Sequence, residues 1–345
     1  MMSEFPLVSI VITSYNRSHF IAKAISSALS QDYPNLEVVI SENCSTDDSD
    51  AVIKQFVSDT RIKYFRNETN IGMIPNFIHS TKAYAKGKYI CYISSDDYLV
   101  NNSFVSEAIK RIKDHPSVSI VTSVNLEENT SLNEIFLESS YRVYKDVFYD
   151  KPFISGKDVF LSFPAYPSIS YGGTLLEREK LLALDDSVFV PISFDLQNIL
   201  QMLLTCDAAF IDRNTYVAVK HGDNAASTVM KADTYIDNLN YIDIPYQYAL
   251  KNKLMDEVTL NEWRTAMYSY FCKYCVKDFY RKDRKQYAIF TEFLKREHPV
   301  VYKNVTRNIE WTTHYLLFAS KTVGNAYLRS RSFLGKLKRG INLFK

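Results

Sequence analysis

Two adjacent carboxylates, Asp96 and Asp97, follow a short and largely apolar run of the chain, Tyr89 to Ile93. The apolar run predicts a buried β-strand. In an open parallel sheet, ligands bind beyond the carboxyl ends of the strands. A carboxylate pair at that position suits Mg²⁺ or Mn²⁺, which proteins often bind through one or two carboxylates together with substrate phosphates. Ser95, Asp96 and Asp97 also suit a strand-to-helix turn, so a helix-capping role stays open.

The elements that must position these carboxylates alternate between strands and helices. Strands are predicted over residues 7–12, 36–40, 62–65, 89–93 and 118–124, with amphipathic helices between them. This alternation with short loops predicts a right-handed and mostly parallel α/β sheet. The polar loops after the first two strands are then expected at the same sheet edge as Asp96 and Asp97. These loops contain Thr13, Ser14, Tyr15, Asn16, Glu42 and Asn43.

Several classes of protein are disfavoured by the sequence. It has no G-x-G-x-x-G after the first strand and no G-x-x-x-x-G-K-[ST], which argues against a nicotinamide-dinucleotide site and a P-loop NTPase. A formal net charge of +2 argues against a nucleic-acid partner. Five cysteines in 345 residues indicate reduced thiols and a cytoplasmic setting. We find no signal-peptide pattern and no apolar stretch long enough to span a membrane.

Further candidate residues lie in the second half of the chain. Gly172 and Gly173 precede a predicted helix, and Asp195 begins another helix. Two further strands are predicted over residues 208–211 and 216–219, and His221 follows the second. Each has an ordinary structural interpretation as well. The glycines suit a tight turn, the aspartate suits a helix start, and the histidine suits a hydrogen-bonded loop.

Strand patterns give way to tyrosine-rich helical segments from about residue 230. We therefore predict a boundary near residue 228, with an α/β domain over 1–228 and a helical region over 229–345. After Glu310 the chain contains lysine and arginine but no acidic residue, interleaved with leucine and phenylalanine. This basic and apolar tail suits the surface of an anionic membrane, and a solvated terminal helix is the alternative.

The order and spacing of these motifs over residues 6–227 resemble family 2 of the glycosyltransferases. The resemblance is carried by Val8 to Arg17, Ser41 to Asp47, Asn70 to Gly72 with Asn76, and Gly87 to Asp97. It implies a GT-A (Rossmann-like) fold over 1–228. It also implies transfer of a sugar from a nucleotide diphosphate sugar, with UDP the expected nucleotide, to a hydroxyl of a glycan or lipid-linked glycan. The implied setting is bacterial surface polysaccharide synthesis, in a cytoplasmic protein that attaches peripherally to the inner face of the membrane.

The resemblance also implies roles for single residues. The nucleotide-binding set is Thr13, Ser14, Tyr15, Asn16, Glu42, Asn43, Asn70 and Ser95. Within it, Tyr15 would contact the base, although it also suits a packing role. Asp96, with Asp97 and His221, would bind Mn²⁺ or Mg²⁺. Asp195 would be the catalytic base, and Gly172 and Gly173 would form a loop beside donor and acceptor. One base without an enzyme nucleophile implies direct displacement and inversion at the anomeric carbon.

The sequence departs from the family pattern at three positions. Ser94 replaces a frequent carboxylate of the metal motif, Phe194 replaces an acidic neighbour of the base, and Glu42 replaces a common aspartate. Two alternatives therefore stay open: a non-catalytic GT-A scaffold in a glycan assembly complex, and a sugar nucleotidyltransferase. The second needs a glycine-rich triphosphate loop, which the first polar loop does not resemble. Asp185 and Asp186 are rival candidates for the base.

Overall fold

The computed structural model describes residues 5–132, 134–137, 148, 151–165, 169–184, 192–222 and 231–307. The chain divides into two compact units, Met1–Arg264 and Thr265–Lys345. The boundary predicted near residue 228 and the tail predicted from residue 311 lie outside the described residues, as do Asp185 and Asp186.

Among the described residues, nine strands form one sheet in the first unit. They are β1 Val8–Ser14, β2 Leu36–Glu42, β3 Ile62–Arg66, β4 Tyr89–Ser94, β5 Tyr98–Leu99, β6 Val118–Asn129, β7 Glu134–Leu137, β8 Thr174–Glu177 and β9 Asp207–Lys220. The strand order is β3-β2-β1-β4-β8-β6-β9-β5, and β7 pairs with β6. The pairs β1/β2, β1/β4 and β2/β3 are parallel, which confirms the prediction for the first half of the sheet.

The second half of the sheet is mixed, because β8 lies antiparallel between β4 and β6. Strand β8 was not predicted from the sequence, since its four residues run directly into a helix. The predicted strands over 208–211 and 216–219 are one continuous strand, β9, which is parallel to β6 and leads to His221. An exposed polar stretch, Asp212 to Asn214, interrupts its buried pattern and explains the divided prediction.

Helices cover the sheet and make up the described C-terminal part. Those before residue 204 are α1 Ile21–Leu29, α2 Ser49–Lys54, α3 Met73–His79, α4 Phe104–Asp114, α5 Gly156–Ser162, α6 Arg178–Leu182 and α7 Phe194–Leu203. A π-helical turn, Ser80–Tyr84, continues α3. The later helices are α8 Ala232–Asn238, α9 Asn240–Lys251, α10 Glu257–Lys282, α11 Arg284–Glu297 and α12 Pro299–Arg307. No helix among the described residues is both long and apolar enough to cross a bilayer.

The core explains why the site-bearing loops have fixed positions. Strands β1 and β2 are buried on both faces, as expected for near-continuous apolar strands in the middle of a parallel sheet. Helix α1 buries Ile21, Ala24, Ile25 and Ala28, which recur at helical spacing on one face. These apolar faces belong to one core cluster. The loops that leave the carboxyl ends of β1, β2 and β4 therefore start from a rigid base.

Candidate active site

A polar cleft of about 320 Å³ lies at the carboxyl ends of β1 and β4. The two strands are parallel neighbours, with Thr13 paired to Ser94, so the loops that follow them lie side by side. Seven of the predicted site residues line this cleft: Thr13, Ser14, Tyr15, Asn43, Asn70, Ser95 and Asp96. The structure thus brings together most of the nucleotide-binding set and the principal predicted metal ligand.

Asp96 is the one acidic residue among the described residues that line the cleft. Its Oδ2 atom lies 3.1 Å from Nε2 of His221 and accepts a 3.3 Å hydrogen bond from Nε of Arg17. Its Oδ1 atom accepts a 2.5 Å hydrogen bond from the Ser94 hydroxyl. Burial acts to raise the pKa of Asp96, but the hydrogen bonds from Ser94 and His221 outweigh burial and the pKa lies below its usual value. Asp96 is therefore an anion at neutral pH.

Arg17 is a functional candidate that the sequence analysis did not select. Its guanidinium reaches Asp96 and also donates a 2.9 Å hydrogen bond to the carbonyl of Asn16. Arg17 lines the cleft as well. The sequence places it directly after the first polar loop, but nothing in the sequence shows that the side chain turns back toward β4. The structure thus places a permanent positive charge beside Asp96, where a phosphate group can be bound.

The Ser14 hydroxyl is a buried polar group at the wall of the cleft. Ser14 is almost fully buried, and its Oγ atom has no hydrogen-bond partner within the described part of the chain. A buried hydroxyl without a partner costs free energy unless a ligand or water satisfies it. The neighbouring Tyr15 ring is 41% exposed and also lines the cleft, so its face is accessible for stacking on a base.

Asn43 shapes the cleft through internal hydrogen bonds. Its amide donates to Oδ1 of Asn70 at 2.8 Å and to the carbonyl of Gly72 at 3.2 Å. Its Oδ1 atom accepts from Nδ2 of Asn67 at 2.9 Å and from the backbone of Ile71 at 3.1 Å. These four bonds fix the turn that carries Asn70. The sequence predicted that Asn43 belongs to the site, but it did not predict these hydrogen-bond partners.

Two other predicted nucleotide residues brace the loops around the cleft. The Glu42 side chain is buried, accepts a 2.6 Å bond from the backbone of Ser45, and pairs with Arg66 at 3.0 Å. Asn16 adopts a left-handed conformation with φ of 52°, and its Oδ1 atom accepts a 2.9 Å bond from the backbone of Thr46. Neither Glu42 nor Asn16 is among the described residues that line the cleft.

A second cavity of about 280 Å³ adjoins the cleft and shares Thr13, Met73 and Ser94 with it. Asp195, Gly172 and Tyr216 line the second cavity, and a group of aromatic side chains forms part of its wall. Phe77, Tyr92 and Tyr171 pack against one another within this wall, with ring centroids 3.9 to 5.1 Å apart. An apolar wall beside one carboxylate suits a sugar ring that binds next to a group able to accept a proton.

Asp195 lies in the first turn of α7 and is half-buried. Its Oδ1 atom accepts a 2.9 Å bond from the backbone N–H of Leu196. Burial raises the pKa of Asp195, and backbone hydrogen bonds from Leu196 and Tyr171 offset part of this rise. A raised pKa makes the carboxylate a stronger proton acceptor once it is ionised.

Gly172 and Gly173 lie where neighbouring side chains leave no room for a Cβ atom. A Cβ atom on Gly172 would lie 2.5 Å from the Tyr216 ring. One on Gly173 would lie 2.5 Å from Oδ1 of Asn125 and 2.8 Å from Cβ of Tyr216. Gly173 also has a φ of 68°, which disfavours other residues. Of these two glycines, only Gly172 is among the described residues that line the second cavity.

Asp97 faces β9. Its Oδ1 atom accepts a 2.7 Å bond from the backbone N–H of Val219, and its Oδ2 atom accepts a bond from the Tyr216 hydroxyl. Burial and the neighbouring Asp96 charge raise the pKa of Asp97 to about 7, against the effect of these two bonds. Asp97 is not among the described residues that line either cavity.

The potential metal ligands near Asp96 suit a divalent cation that also takes ligands from a bound substrate. His221 is largely buried and stacks on Phe20 with a centroid distance of 4.6 Å, so its ring is held against Asp96. The described residues contain no cluster of three or more acidic, cysteine or histidine side chains arranged for a metal. One carboxylate and one imidazole, with phosphate oxygens and water as further ligands, are a suitable set for Mg²⁺ or Mn²⁺.

Comparison with known proteins shows what this chain is similar to. Residues 9–164 match the family model described as "Glycosyl transferase family 2". The matched stretch is thus similar to family 2 of the glycosyltransferases. The solved structure of Staphylococcus aureus TarS 1-349 in complex with UDP-GlcNAc has a TM-score of 0.66 and 16% identity, covering 94% of this chain and 92% of that one. A Pyrobaculum calidifontis mannosyltransferase, solved with GDP-Man and Mn²⁺, has a TM-score of 0.52 and 14% identity, covering 94% and 87%. The predicted GT-A fold is confirmed.

Curated proteins that match part of this chain include bacterial enzymes. An Escherichia coli UDP-Glc:alpha-D-GlcNAc-diphosphoundecaprenol beta-1,3-glucosyltransferase, WfgD, is 34% identical over 111 residues, which cover 32% of this chain and 43% of that protein. A second Escherichia coli enzyme of the same description, WfaP, is 38% identical over 101 residues, covering 29% and 39%. This chain therefore matches less than half of the length of these relatives.

Proposed function

We propose that this protein is a glycosyltransferase that moves a sugar from a UDP-sugar to a hydroxyl of a glycan or lipid-linked glycan. The observation that carries the proposal is the pair of adjoining cavities, which share Thr13, Met73 and Ser94. One contains the anionic Asp96 beside Arg17, and the other contains Asp195. A nucleotide sugar bound across both cavities, over the residues that they share, would place its diphosphate in the first cavity and its sugar in the second.

The polar cleft offers distinct groups for the nucleotide. The Tyr15 ring would stack on the base, while the Ser14 hydroxyl would hydrogen-bond the nucleoside, with Thr13, Asn70 and Ser95 around it. Glu42, Asn43 and Asn16 would act by holding the loops in place, since their side chains bond to the protein. This arrangement pre-organises the cleft, which lowers the entropic cost of binding the donor.

The diphosphate would lie beside Asp96, Arg17 and His221. Asp96 and His221 would hold Mn²⁺ or Mg²⁺, which supplies Lewis-acid stabilisation of the leaving diphosphate. The Arg17 guanidinium would pair with phosphate oxygens. The pairing of Arg17 with Asp96 keeps both charges satisfied before a donor binds.

Asp195 would remove the proton from the acceptor hydroxyl as the hydroxyl oxygen bonds to the anomeric carbon. The bond from that carbon to the phosphate oxygen breaks, and its electron pair leaves with UDP. Asp195 is the one carboxylate among the described residues that line the second cavity. A single base without a nucleophile supports direct displacement, with inversion at the anomeric carbon. General-base catalysis of this kind contributes about 100- to 10,000-fold in rate.

The names of relatives support the acceptor class. WfgD, WfaP and a Campylobacter jejuni beta-1,3-glucosyltransferase, 32% identical over 100 residues that cover 28% of this chain and 32% of that protein, are named for undecaprenol-linked substrates. We propose the same class of acceptor for this chain, within bacterial surface polysaccharide synthesis. With such an acceptor, the protein would act in the cytoplasm at the inner face of the membrane, where the basic tail would contact anionic lipid.

A thermal-shift screen tests the proposal. The protein is heated with UDP, GDP and a panel of their sugars, with and without Mn²⁺. A ligand that binds the folded state raises the unfolding temperature by mass action. We expect the largest increase with a UDP-sugar and Mn²⁺ together. No increase with any nucleotide sugar would contradict the proposal and favour a scaffold role.

A further inference from the structure

Asp97 joins the end of β4 to two points on β9. Its Oδ2 atom accepts a hydrogen bond from the Tyr216 hydroxyl, and its Oδ1 atom accepts one from the backbone of Val219 at 2.7 Å. The backbone N–H of Asp97 itself donates to the carbonyl of Ser94 at 3.0 Å, which closes the turn after β4. Both carboxylate oxygens of Asp97 are thus bound to a single neighbouring strand.

Each attachment point leads to a different part of the active site. Val219 lies two residues before His221, whose ring meets Asp96 at 3.1 Å. Tyr216 lines the second cavity, and its ring fills the space that a side chain at Gly172 would need. The pairing of β5 with β9, with Leu99 opposite Tyr216, brings the two strands together just beyond Asp97.

We propose that Asp97 is a positioning residue that clamps β9, and with it His221 and the Gly172–Gly173 loop, rather than a metal ligand. The two adjacent carboxylates then have different roles. Asp96 faces the polar cleft, and Asp97 bonds to the protein. The inference rests on the proposed function, because the groups that Asp97 positions belong to the proposed active site.

Substitution by asparagine separates a clamp from a ligand. Asp97→Asn removes the negative charge but keeps an oxygen that accepts from Val219 and adds an amide that donates to the Tyr216 hydroxyl. Asp97→Ala removes both bonds. Tyr216→Phe removes one bond and leaves the carboxylate in place.

The first readout needs neither metal nor activity. The six histidines are labelled with ¹⁵N, and the ring signals of His221 are assigned from their loss in His221→Gln. We expect Asp97→Ala to shift the His221 signals and Asp97→Asn to leave them in place. Equal shifts in both variants, or no shift in a folded Asp97→Ala, would overturn the proposal. If Asp97→Ala does not fold, Tyr216→Phe must shift the signals more than Asp97→Asn does, and the reverse order overturns the clamp.

The second readout is the affinity for Mn²⁺, measured by calorimetry with UDP present. The clamp predicts a Kd in Asp97→Asn within about threefold of the native value, and a loss of about 10- to 100-fold in Asp97→Ala. Asp96→Asn is the control for a true ligand. An Asp97→Asn protein as weak as Asp96→Asn would make Asp97 a ligand and overturn the clamp. If the native protein binds no Mn²⁺, the proposed metal site fails, while the His221 signals still decide the clamp.

Discussion

Nε2 of His221 lies 3.1 Å from Oδ2 of Asp96, although 125 positions separate the two residues in the chain. Asp96 ends the turn after β4, and His221 follows the last residue of β9. Neither strand pairs with the other, since β8 and β6 lie between them in the sheet. The contact therefore depends on the loops at one end of the sheet, and it joins the first and last parts of the proposed site.

Asp96→Asn is expected to remove metal-dependent donor binding while leaving the fold intact. The variant loses the anion that would bind the cation, and we expect the affinity for a UDP-sugar with Mn²⁺ to fall by more than about 100-fold. Calorimetry with and without Mn²⁺ measures this. Asp59→Asn is a matched control, because Asp59 pairs with Arg61 away from the cleft. Full Mn²⁺-dependent binding by Asp96→Asn would show that the metal lies elsewhere.

Asp195→Asn is expected to remove sugar transfer but to keep donor affinity. The base acts in the chemical step, so its loss lowers kcat by about 100- to 10,000-fold and leaves the Kd of the donor unchanged. Steady-state transfer and calorimetry on the same preparation separate the two effects. Near-normal transfer by Asp195→Asn would direct attention to Asp185 and Asp186.

The pH dependence of transfer should reflect the raised pKa of Asp195. The base must be ionised to accept a proton, so activity is lost as the pH falls through its pKa. The ordinary pKa of an aspartate is near 4. Because burial raises the pKa of Asp195, kcat should fall on the acidic side of the profile at a pH above that value. A rate profile between pH 4 and 9 measures it. A limb at or below pH 4 would contradict the assignment of Asp195 as the base.

Gly172→Ala should destabilise the protein, because the added methyl group meets the Tyr216 ring at 2.5 Å. Overpacking of this kind costs about 1 to 3 kcal/mol in the free energy of unfolding. Gly222→Ala is the control, since a Cβ there meets no atom of the described residues within 4 Å. Urea denaturation of both variants gives the comparison. Equal stability of the two variants would show that the contact with Tyr216 is not a constraint.

The tail beyond Glu310 is expected to promote attachment to anionic membranes. Each basic residue near such a surface contributes about 1 kcal/mol, and salt weakens this attraction. Co-sedimentation with anionic and neutral liposomes would compare the full chain with a chain that ends at Glu310. Binding to anionic liposomes should fall on truncation while sugar transfer persists. Equal binding by both proteins, or loss of folding on truncation, would refute this role.

The first half of the fold was predictable because β1, β2 and β4 are nearly continuous apolar runs, and the next helix after each strand has one apolar face. Later elements were harder for physical reasons. The four residues of β8 carry too little pattern to be distinguished from the helix that follows. The exposed residues Asp212 to Asn214 hide the continuity of β9.

The sequence predicted which residues belong to the site better than it predicted the hydrogen-bond partners of those residues. The polar loops after β1 and β2 and the carboxylates after β4 had to meet, because parallel strands end at one edge of the sheet. The direction of each side chain depends on contacts that are distant in sequence. Asn43 bonds to Asn67 and Asn70, and Asp97 bonds to β9, and neither arrangement follows from local sequence.

The central claim is that the two adjoining cavities carry out sugar transfer from a UDP-sugar. The most direct measurement is the release of UDP from a panel of UDP-sugars with Mn²⁺ and an undecaprenol-linked acceptor, in the native protein and in Asp195→Asn. We predict acceptor-dependent release of UDP from one sugar of the panel by the native protein, and a loss of about 100-fold or more in Asp195→Asn. Native protein that binds the donor but releases no UDP, or equal release by both proteins, would contradict it.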